Sequence, residues 1–530
     1  MAAARSIGMM RSGLFAAALI AGGVFHGQSA TAEMEPESER PKVKAPDLSG
    51  GAAWLNTEKP ITLEDLKGKI VLLDFWTFCC INCIHTLPDL AKLEKKYEKE
   101  LVVIGVHSAK FDNEKVTENI RKAINRYQIQ HPVVNDAEMK IWSRYEVSSW
   151  PTLVLIDPEG FLVGYAAGEG NFEILDQAIA KLIAKHGANK TLDSVPRRFD
   201  TAKFQDNAES PLFFPGKVLA DAASDRLFIA DSTNHRIVIT TLAGRRVAVA
   251  GTGRPGNVDG SFAQAQFDDP QGLALDGSTL YVADRKNHTI RALDLAKETV
   301  RTIAGTGEQA RETRSVSGPA RQIGLNSPWD LLLVGRTLFI AMAGHHQIWT
   351  LDLAKDRVAP FAGNGRENIR DGSLTSAEFA QPSGLATDGQ RLFVADSEVS
   401  AIRSVSLSSP GDVRTIVGEG LFQFGDADGV GGQVRLQHAL GVAWHGGRLY
   451  IADTYNSKLK VCDPATRRCE TYLGGAGPDG RLFNEPAGLS VAGDMLYVAD
   501  TNAHRIRVVN LRDKSVRTLT LQGVEPVKRN

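Results

Sequence analysis

Thiol chemistry is concentrated in one short segment, because three of the five cysteines fall within residues 74–83, Asp-Phe-Trp-Thr-Phe-Cys-Cys-Ile-Asn-Cys. Cys80 and Cys83 form a C-x-x-C motif, whose two sulfurs lie one turn apart if a helix begins there. Unpaired backbone N–H groups and the positive end of the helix dipole stabilise a thiolate at such a position, so its pKa falls. The spacing therefore predicts a reversible dithiol, with Cys80 as attacking thiolate and Cys83 as resolving thiol.

The same motif has two other interpretations, a permanent disulfide and half of a zinc site. A zinc site usually takes a second pair of ligands, and the sequence has no second C-x-x-C and no histidine pair near the first. A static disulfide gains little from closing so short a loop. The redox interpretation is therefore favoured, and we predict neither a metal nor a cofactor.

Two further positions support redox chemistry. Asp74 stands six residues before Cys80, where a buried carboxylate can take the proton from Cys83, since only the thiolate is a nucleophile. Pro151 precedes a predicted strand, and a cis peptide bond there would set an extended backbone segment beside the cysteines for a substrate peptide. The alternatives are an ordinary polar strand end for Asp74 and a plain strand-start proline for Pro151.

Hydrophobic patterning predicts the strands and helices that must position these residues. Apolar runs at 70–75 and 101–106 predict buried strands, and residues 84–98 form a helical pattern that contains Pro88. Strands and helices alternate from about residue 45 to residue 186. This pattern indicates an α/β sandwich, and we assign the domain to residues 47–186.

The first 32 residues resemble an export signal. Arg5 and Arg11 make a basic start, residues 14–25 are apolar, and Ala30-Thr31-Ala32 fits a small-x-small cleavage site. The alternative is a membrane anchor, but the apolar run is shorter than the ~20 residues that span a bilayer. We therefore predict a signal peptide at 1–32, a mobile lead-in at 33–46 and a periplasmic or secreted mature protein without a membrane span.

Length and composition set wider limits. A chain of 530 residues is too long for one ordinary core, so two or more domains are expected. The formal net charge is −1, so there is no basic excess to suggest nucleic acid as a partner. Residues 187–212 are polar and are interpreted as a linker.

A repeat occupies residues 213–525. Six extended apolar runs recur at roughly 50-residue intervals, and they end at Asp231, Asp284, Met342, Asp396, Asp453 and Asp500. A Pro-x-Gly-Leu turn precedes several runs and a Gly-x-Gly turn follows several others. Each unit holds about four short strands and cannot bury both faces of its sheet alone, so the repeat predicts an all-β, six-bladed propeller.

These features carry a family resemblance. Phe75-Trp76, the C-x-x-C motif, Pro88 and Trp150-Pro151-Thr152 resemble the thioredoxin fold, and more narrowly exported thioredoxin-like domains of the TlpA type. The resemblance implies Cys80 as nucleophile, Cys83 as resolving cysteine, Asp74 as buried acid and a cis Pro151. Two departures concern the motif itself. Cys79 replaces the usual tryptophan, and Ile81-Asn82 lacks the usual proline, which bears on redox poise.

The repeats are similar to NHL repeats over about residues 213–521. A thioredoxin-like α/β domain followed by a six-bladed NHL propeller resembles the family of NHL-repeat-containing protein 2, including the Cys-Cys-Ile-Asn-Cys string. The resemblance covers nearly the whole mature chain. It implies architecture more strongly than it implies a substrate.

Cys79 and Thr77 leave alternatives open. Cys79 either packs in the usual tryptophan position or serves as an accessory thiol that exchanges partners with Cys80. Thr77 and Cys80 also make the T-x-x-C of peroxiredoxins, but the proline those proteins carry four residues earlier is Leu73 here. A peroxiredoxin-like peroxidase is therefore a minor alternative.

The propeller adds three candidate features. Four histidines recur at one repeat position and favour a structural role over a metal cluster: His235, His288, His346 and His504. Asp426-Ala427-Asp428-Gly429 resembles a calcium loop but lacks a later acidic ligand. Cys462 and Cys469 flank a predicted turn, so an oxidising compartment favours a structural disulfide between them.

The sequence thus favours an exported thiol–disulfide oxidoreductase whose propeller binds a substrate or partner. The expected partners are a protein thiol or disulfide and a redox partner. The main alternative is an interaction scaffold in which the thioredoxin-like domain is passive. A propeller hydrolase or lyase would need converging metal ligands, which the repeat alignment does not show.

Overall fold

A computed structural model describes residues 42–201, 209–311, 316–477 and 480–528. The predicted export signal and most of the predicted lead-in lie outside these residues. Residues from Lys44 onward form one compact unit that contains both an α/β domain and a propeller. The fold class predicted from the sequence is therefore confirmed.

The α/β domain is built on one six-stranded sheet in the order β1-β4-β3-β2-β5-β6. Its strands are β1 (Ala53–Leu55), β2 (Ile70–Trp76), β3 (Leu101–His107), β4 (Val133–Asn135), β5 (Thr152–Ile156) and β6 (Leu162–Ala167). Strands β2, β3 and β4 pair in parallel, and the other pairs are antiparallel. Central strand β2 is buried along its whole length, which explains its continuous apolar run.

Helices cover both faces of this sheet. They are α1 (Ile81–Lys96), α2 (Thr117–Tyr127), α3 (Lys140–Arg144) and α4 (Phe172–Ala188). Ile70 and Leu72 of β2 pack in one cluster with α1 and α4, whereas Val71 and Leu73 pack in another with α3. No helix in the described ranges is both long and apolar enough to cross a bilayer.

The propeller has six antiparallel blades of four strands each. The strands of each blade are given from the inner to the outer one. Blades one to three are, in turn, Val218–Asp221, Arg226–Asp231, Arg236–Thr240 and Arg246–Ala250 (blade one); Pro270–Asp276, Thr279–Asp284, Thr289–Asp294 and Thr299–Ala304 (blade two); and Pro328–Val334, Thr337–Met342, Gln347–Asp352 and Arg357–Ala362 (blade three). Blades four to six are Pro382–Thr387, Arg391–Asp396, Ala401–Ser406 and Asp412–Val417 (blade four); Gly441–His445, Arg448–Asp453, Lys458–Asp463 and Arg468–Leu473 (blade five); and Pro486–Ala492, Met495–Asp500, Arg505–Asn510 and Val516–Thr518 (blade six). The inner strand of blade six contacts that of blade one, so the ring closes.

Short elements complete the unit. Two-residue strands extend blades two to five or form a hairpin before blade six: Gly260–Ser261, Gly318–Pro319, Gly372–Ser373, Gly429–Val430, Ala476–Gly477 and Gly480–Arg481. Single 3-10 turns are Glu64–Leu66, Asp112–Lys115, Ser232–Asn234, Ala343–His345, Gly431–Gln433, Thr454–Asn456 and Thr501–Ala503.

The glycine of the Pro-x-Gly-Leu turn allows the inner strands to approach one another closely. A Cβ atom on Gly272 would lie 2.4 Å from the Cα atom of Asp330 in the next blade. Beside these strands, the buried Lys217 ammonium donates to the carbonyls of Ser383 and Leu440 at 2.7 and 2.6 Å. Lys217 also pairs with Asp330 at 3.3 Å, so one cation joins blades one, three, four and five.

The recurring histidines join neighbouring blades. Each accepts, through Nδ1, a hydrogen bond from a backbone N–H that lies one to four residues before the next inner strand, at 3.0–3.3 Å. Ser400 and Ser457 do the same with their hydroxyl oxygens in the other two blades. Because the Nδ1 lone pair is already used, this arrangement supports the structural role expected for these histidines.

Candidate functional site

The C-x-x-C motif lies at the start of α1. Cys80 is the N-cap residue, and its Sγ accepts a hydrogen bond from the backbone N–H of Cys83 at 3.3 Å. Cys80 is half-buried, whereas Cys83 is fully buried. Burial is the main cause that raises the pKa of the Cys83 thiol. Burial therefore favours the protonated form of Cys83, which lies behind the more exposed Cys80.

Asp74 lies on β2 and is fully buried. Neither of its carboxylate oxygens has a hydrogen-bond partner among the described residues. Burial raises the pKa of Asp74 to about 7; the charge of His131 lowers this pKa, and that of Glu94 raises it. The Asp74 charge also raises the pKa of Cys83. The carboxylate is thus close enough to Cys83 to interact with it and has a pKa suited to proton transfer near neutrality.

Trp150 and Pro151 lie beside the cysteines. Trp150 packs against the apolar cluster that contains Cys79 and Cys83, and its indole N–H donates to the carbonyl of Ser108 at 2.9 Å. The Trp150–Pro151 peptide bond is cis. The four residues predicted to take part in catalysis are therefore grouped around the N-terminus of α1.

A ring of six propeller residues faces this group. Each lies one to four residues before an inner strand and has a left-handed backbone: Phe214, Asp269, Ser327, Gln381, His438 and Glu485. We call this set the mouth ring. Ile81 lies against it, in a buried cluster with Trp329, Ala343, Leu440 and Ala487 from blades three, five and six. The C-x-x-C motif is therefore covered on one side by the propeller of the same chain.

Gln381 of the mouth ring contacts the backbone on both sides of Cys80. Its Oε1 accepts from the N–H of Ile81 at 2.9 Å, and its Nε2 donates to the carbonyl of Cys79 at 2.9 Å. One of the unpaired N–H groups at the start of α1 is thus bound by the propeller. Gln381 holds the backbone conformation of the motif without touching either reactive sulfur by a described hydrogen bond.

Polar contacts fix the α/β domain on the propeller around this point. Arg126 on α2 pairs with the buried Glu485 at 2.8 Å and donates to Asn502 at 2.8 Å. Asn113 donates its side-chain amide to Glu485 at 2.9 Å and its backbone N–H to Gln437 at 2.9 Å. Charged and amide groups from both domains are satisfied by each other, so the interface is specific rather than merely apolar.

A second polar group lies on the other side of α1. The His85 ring, two residues after Cys83, contacts Ser327 Oγ through Nε2 at 2.6 Å and Glu169 through Nδ1 at 2.5 Å. Gln309 contacts the same ring and carboxylate. His85 therefore links helix α1 to blade three and to the loop after β6.

Cys79 is buried within the domain interface rather than beside solvent. Its N–H donates to Glu114 at 2.9 Å, and Thr77 Oγ1 lies 3.9 Å from its sulfur. Its Sγ is near Glu398 and His438 of the propeller. Burial raises the pKa of the Cys79 thiol, which disfavours the accessory exchange role considered from the sequence.

The other features predicted from the sequence, the disulfide and the calcium loop, lie in or next to blade five, away from the C-x-x-C motif. Cys462 and Cys469 face each other in its outer two strands and are joined as a disulfide. The possible calcium loop has its carboxylates paired with lysine instead, because Lys460 contacts both Asp426 and Asp428, at 3.1 and 2.8 Å.

Sequence reasoning missed the mouth ring. A signal was present, since six different residue types occupy one position of an otherwise regular repeat. Side chains that maintain the repeat recur from blade to blade, whereas these six vary with the part of the α/β domain that each one faces.

The comparisons with known proteins agree with this architecture. A thioredoxin-like family model matches residues 68–162, and an NHL repeat model matches residues 483–509. The chain is 44% identical over 519 residues to NHL repeat-containing protein 2 of Bos taurus, covering 89% of this chain and 70% of that one. It is also 44% identical over 521 residues to the chloroplastic protein SUPPRESSOR OF QUENCHING 1 of Arabidopsis thaliana, covering 92% and 49%.

The α/β domain alone has other relatives. It is similar to thiol-disulfide oxidoreductase YkuV of Bacillus subtilis, with 27% identity over 141 residues, which is 26% of this chain and 94% of that one. Both parts of the architecture therefore have independent matches, and the long alignments join them in one chain.

Proposed function

The chain belongs to the family of NHL repeat-containing protein 2, and on that premise we propose that it is an exported thiol–disulfide oxidoreductase working through Cys80 and Cys83. The observation that carries the proposal is the position of Cys80 at the N-cap of α1, with its sulfur accepting from Cys83 N–H. The similarity of the α/β domain to the thiol-disulfide oxidoreductase YkuV supports the same reaction class.

In the reductive direction, the Cys80 thiolate attacks one sulfur of a substrate disulfide. The substrate S–S bond breaks, a Cys80–substrate disulfide forms, and a substrate thiolate leaves. Asp74 then accepts the Cys83 proton, and the Cys83 thiolate attacks the Cys80 sulfur. A Cys80–Cys83 disulfide forms and the second substrate thiol departs, so two electrons pass to the substrate. A dithiol donor restores the reduced pair, and the oxidative direction reverses these steps.

Pro151 and Trp150 belong to the substrate side of the proposal. They lie beside the cysteines, where an extended peptide could align with the backbone before β5. The propeller forms the opposite wall through the mouth ring. A disulfide that reaches Cys80 therefore meets both domains, which is how the propeller would select the substrate.

Export is the part of the proposal that concerns residues outside the described ranges. It is supported by the basic, apolar and small-residue pattern of residues 1–32. N-terminal sequencing of the protein from its native host tests it. We expect the mature chain to begin at Glu33, and a retained Met1 would contradict export by cleavage.

The catalytic proposal is tested with the full mature chain, reduced beforehand and freed of reductant, and a peptide disulfide in stoichiometric amount. We expect Cys80→Ser to abolish reduction and Cys83→Ser to accumulate a mixed disulfide at Cys80, because the resolving thiol is missing. Full activity in Cys80→Ser would overturn the proposal. Partner capture that is the same in both variants and the wild type would instead favour a scaffold with a passive thioredoxin-like domain.

A further inference from the structure

Three side chains with metal-binding atoms meet in the domain interface at Cys79. The Cys79 sulfur, a carboxylate oxygen of Glu398 and a ring nitrogen of His438 all lie within 4.8 Å of one another, and all three residues are buried. They come from the loop after β2, from blade four and from blade five. We propose that these three residues bind one Zn²⁺ ion that joins the α/β domain to the propeller.

Two atoms of this cluster have unused lone pairs. Oε1 of Glu398 and Nδ1 of His438 are buried and have no hydrogen-bond partner among the described residues. They lie 3.8 Å apart. Leaving such an atom unpaired in a buried site is unfavourable, and a cation between them and the Cys79 sulfur would satisfy both.

The surrounding groups orient these atoms as the outer partners of metal ligands do. Lys110 pairs with the other carboxylate oxygen of Glu398, Oε2, and so leaves Oε1 directed elsewhere. The His438 ring is held by a hydrogen bond with the Ser397 backbone and by stacking on Tyr455, with ring centroids 4.5 Å apart.

Two further acidic side chains lie near Glu398. The charge of Glu398 raises the pKa of Glu114 and of Glu367, and Lys110 pairs with Glu398. A divalent ion bound to Glu398 would offset the charge of a Cys79 thiolate in this buried site.

The donor set identifies the metal class. One sulfur, one imidazole nitrogen and one carboxylate oxygen are typical zinc ligands, with bonds of about 2.0–2.3 Å. Three protein ligands leave a fourth, open position. Binding would release the Cys79 thiol proton to solvent and form a zinc–thiolate bond, so Cys79 would be unavailable for exchange with Cys80.

This site is not evident from the sequence alone. The expectation of no metal was based on the C-x-x-C motif, which lacks a second ligand pair nearby. The proposed ligands are residues 79, 398 and 438, and only the docking of the two domains brings them together.

The experiment uses the full mature chain, freed of metal with a chelator and titrated with Co²⁺ and then Zn²⁺. We expect one equivalent of Co²⁺ to give a thiolate-to-cobalt charge-transfer band that one equivalent of Zn²⁺ removes. Cys79→Ser should abolish the band. His438→Gln should weaken zinc binding at least ~100-fold, more than the loss of an outer partner does.

The Cys80→Ser/Cys83→Ser double variant is the matched control, because it removes the other two thiols and keeps Cys79. We expect it to retain the band and the one-to-one zinc stoichiometry. The proposal is overturned if the wild type shows no band, or if the band survives Cys79→Ser and disappears in the double variant. Should Cys79→Ser fail to fold, unchanged zinc affinity in folded His438→Gln would overturn it equally.

Discussion

At the scale of single residues, the site depends on how burial changes the pKa values of two neighbouring acids. Cys83 and Asp74 are both fully buried, and burial raises the pKa of each. Asp74 therefore has a pKa of about 7, at which it can accept the thiol proton during a reaction near neutral pH. An aspartate in this position weakens the fold at neutral pH, a cost that its proposed role as proton acceptor would explain.

The destabilisation of the fold by Asp74 is predicted to depend on pH. The folded-state pKa of Asp74 is about 7 and its ordinary value is 3.8, so its contribution to stability is complete below 3.8 and is lost as pH rises through 7. Above pH 7 the penalty is on the order of 4 kcal/mol. We expect Asp74→Asn to raise the free energy of unfolding in urea by a few kcal/mol at about pH 8, with little difference near pH 4.

The same variant should lose activity. Without a proton acceptor, resolution of the mixed disulfide should slow by about 100-fold or more. A variant that is less stable than the wild type at about pH 8, or one that turns over normally, would show that Asp74 is an ordinary strand residue.

Residue identity was largely predictable at this scale. Cys80, Cys83, Asp74 and Pro151 are adjacent in the chain to the elements that position them, so motif and periodicity were sufficient to group them. The surroundings of Cys79 were not predictable, because its neighbours Glu398 and His438 are supplied by distant blades.

At the scale of elements, helices α1 and α2 are held by the mouth ring as much as by their own sheet. Ile81 and Gln381 fix the start of α1, and the pair between Arg126 and Glu485 fixes α2. Glu485 is 1% exposed, so removal of Arg126 would leave its charge buried with its main partner missing.

We therefore expect Arg126→Met to lower the free energy of unfolding by about 3–5 kcal/mol, the range for breaking one side of a buried ion pair. The matched control is Arg121→Met on the same helix. Arg121 pairs with Glu118, which is 62% exposed, so its loss should cost under ~1 kcal/mol. Urea unfolding of both variants is the measurement, and equal effects would contradict the role given to the interface.

At the scale of the whole molecule, the ring of blades is closed by the same hydrogen bond repeated six times. Four histidines and two serines accept from the backbone before the next inner strand. Burial lowers the pKa of His288 to about 3. A group of this kind stabilises the fold fully above its unfolded pKa and loses that contribution as pH falls through its folded pKa.

His288→Ser should therefore make the protein less sensitive to acid. Serine occupies this repeat position in blades four and five, so the hydrogen bond to Ser327 can be kept. Between about pH 7 and pH 5 the wild type should lose about 2 kcal/mol more stability than the variant, from a histidine that stays neutral when folded. Thermal unfolding at the two pH values measures this, and an identical loss in both proteins would refute it.

The architecture was predictable at this scale and the arrangement of the two domains was not. Apolar runs that recur at roughly 50-residue intervals, with turn residues between them, define a propeller from local patterning alone. The docking surface is different, because it depends on contacts that five of the six mouth-ring residues make with the α/β domain: Phe214, Ser327, Gln381, His438 and Glu485. A search for the repeat pattern alone gives no reason for the different residue types at this position of the six blades.

The central claim is that Cys80 and Cys83 form a two-electron redox couple, and one measurement tests it most directly. The full mature chain is equilibrated in glutathione buffers of graded potential, its free thiols are alkylated, and peptide masses report the state of each cysteine. We predict that Cys80 and Cys83 convert together from two alkylated thiols to one disulfide over a single two-electron transition, while Cys79 is not part of the bridge. Cys80 and Cys83 remaining unbridged at every potential, or a bridge that includes Cys79, would contradict the account.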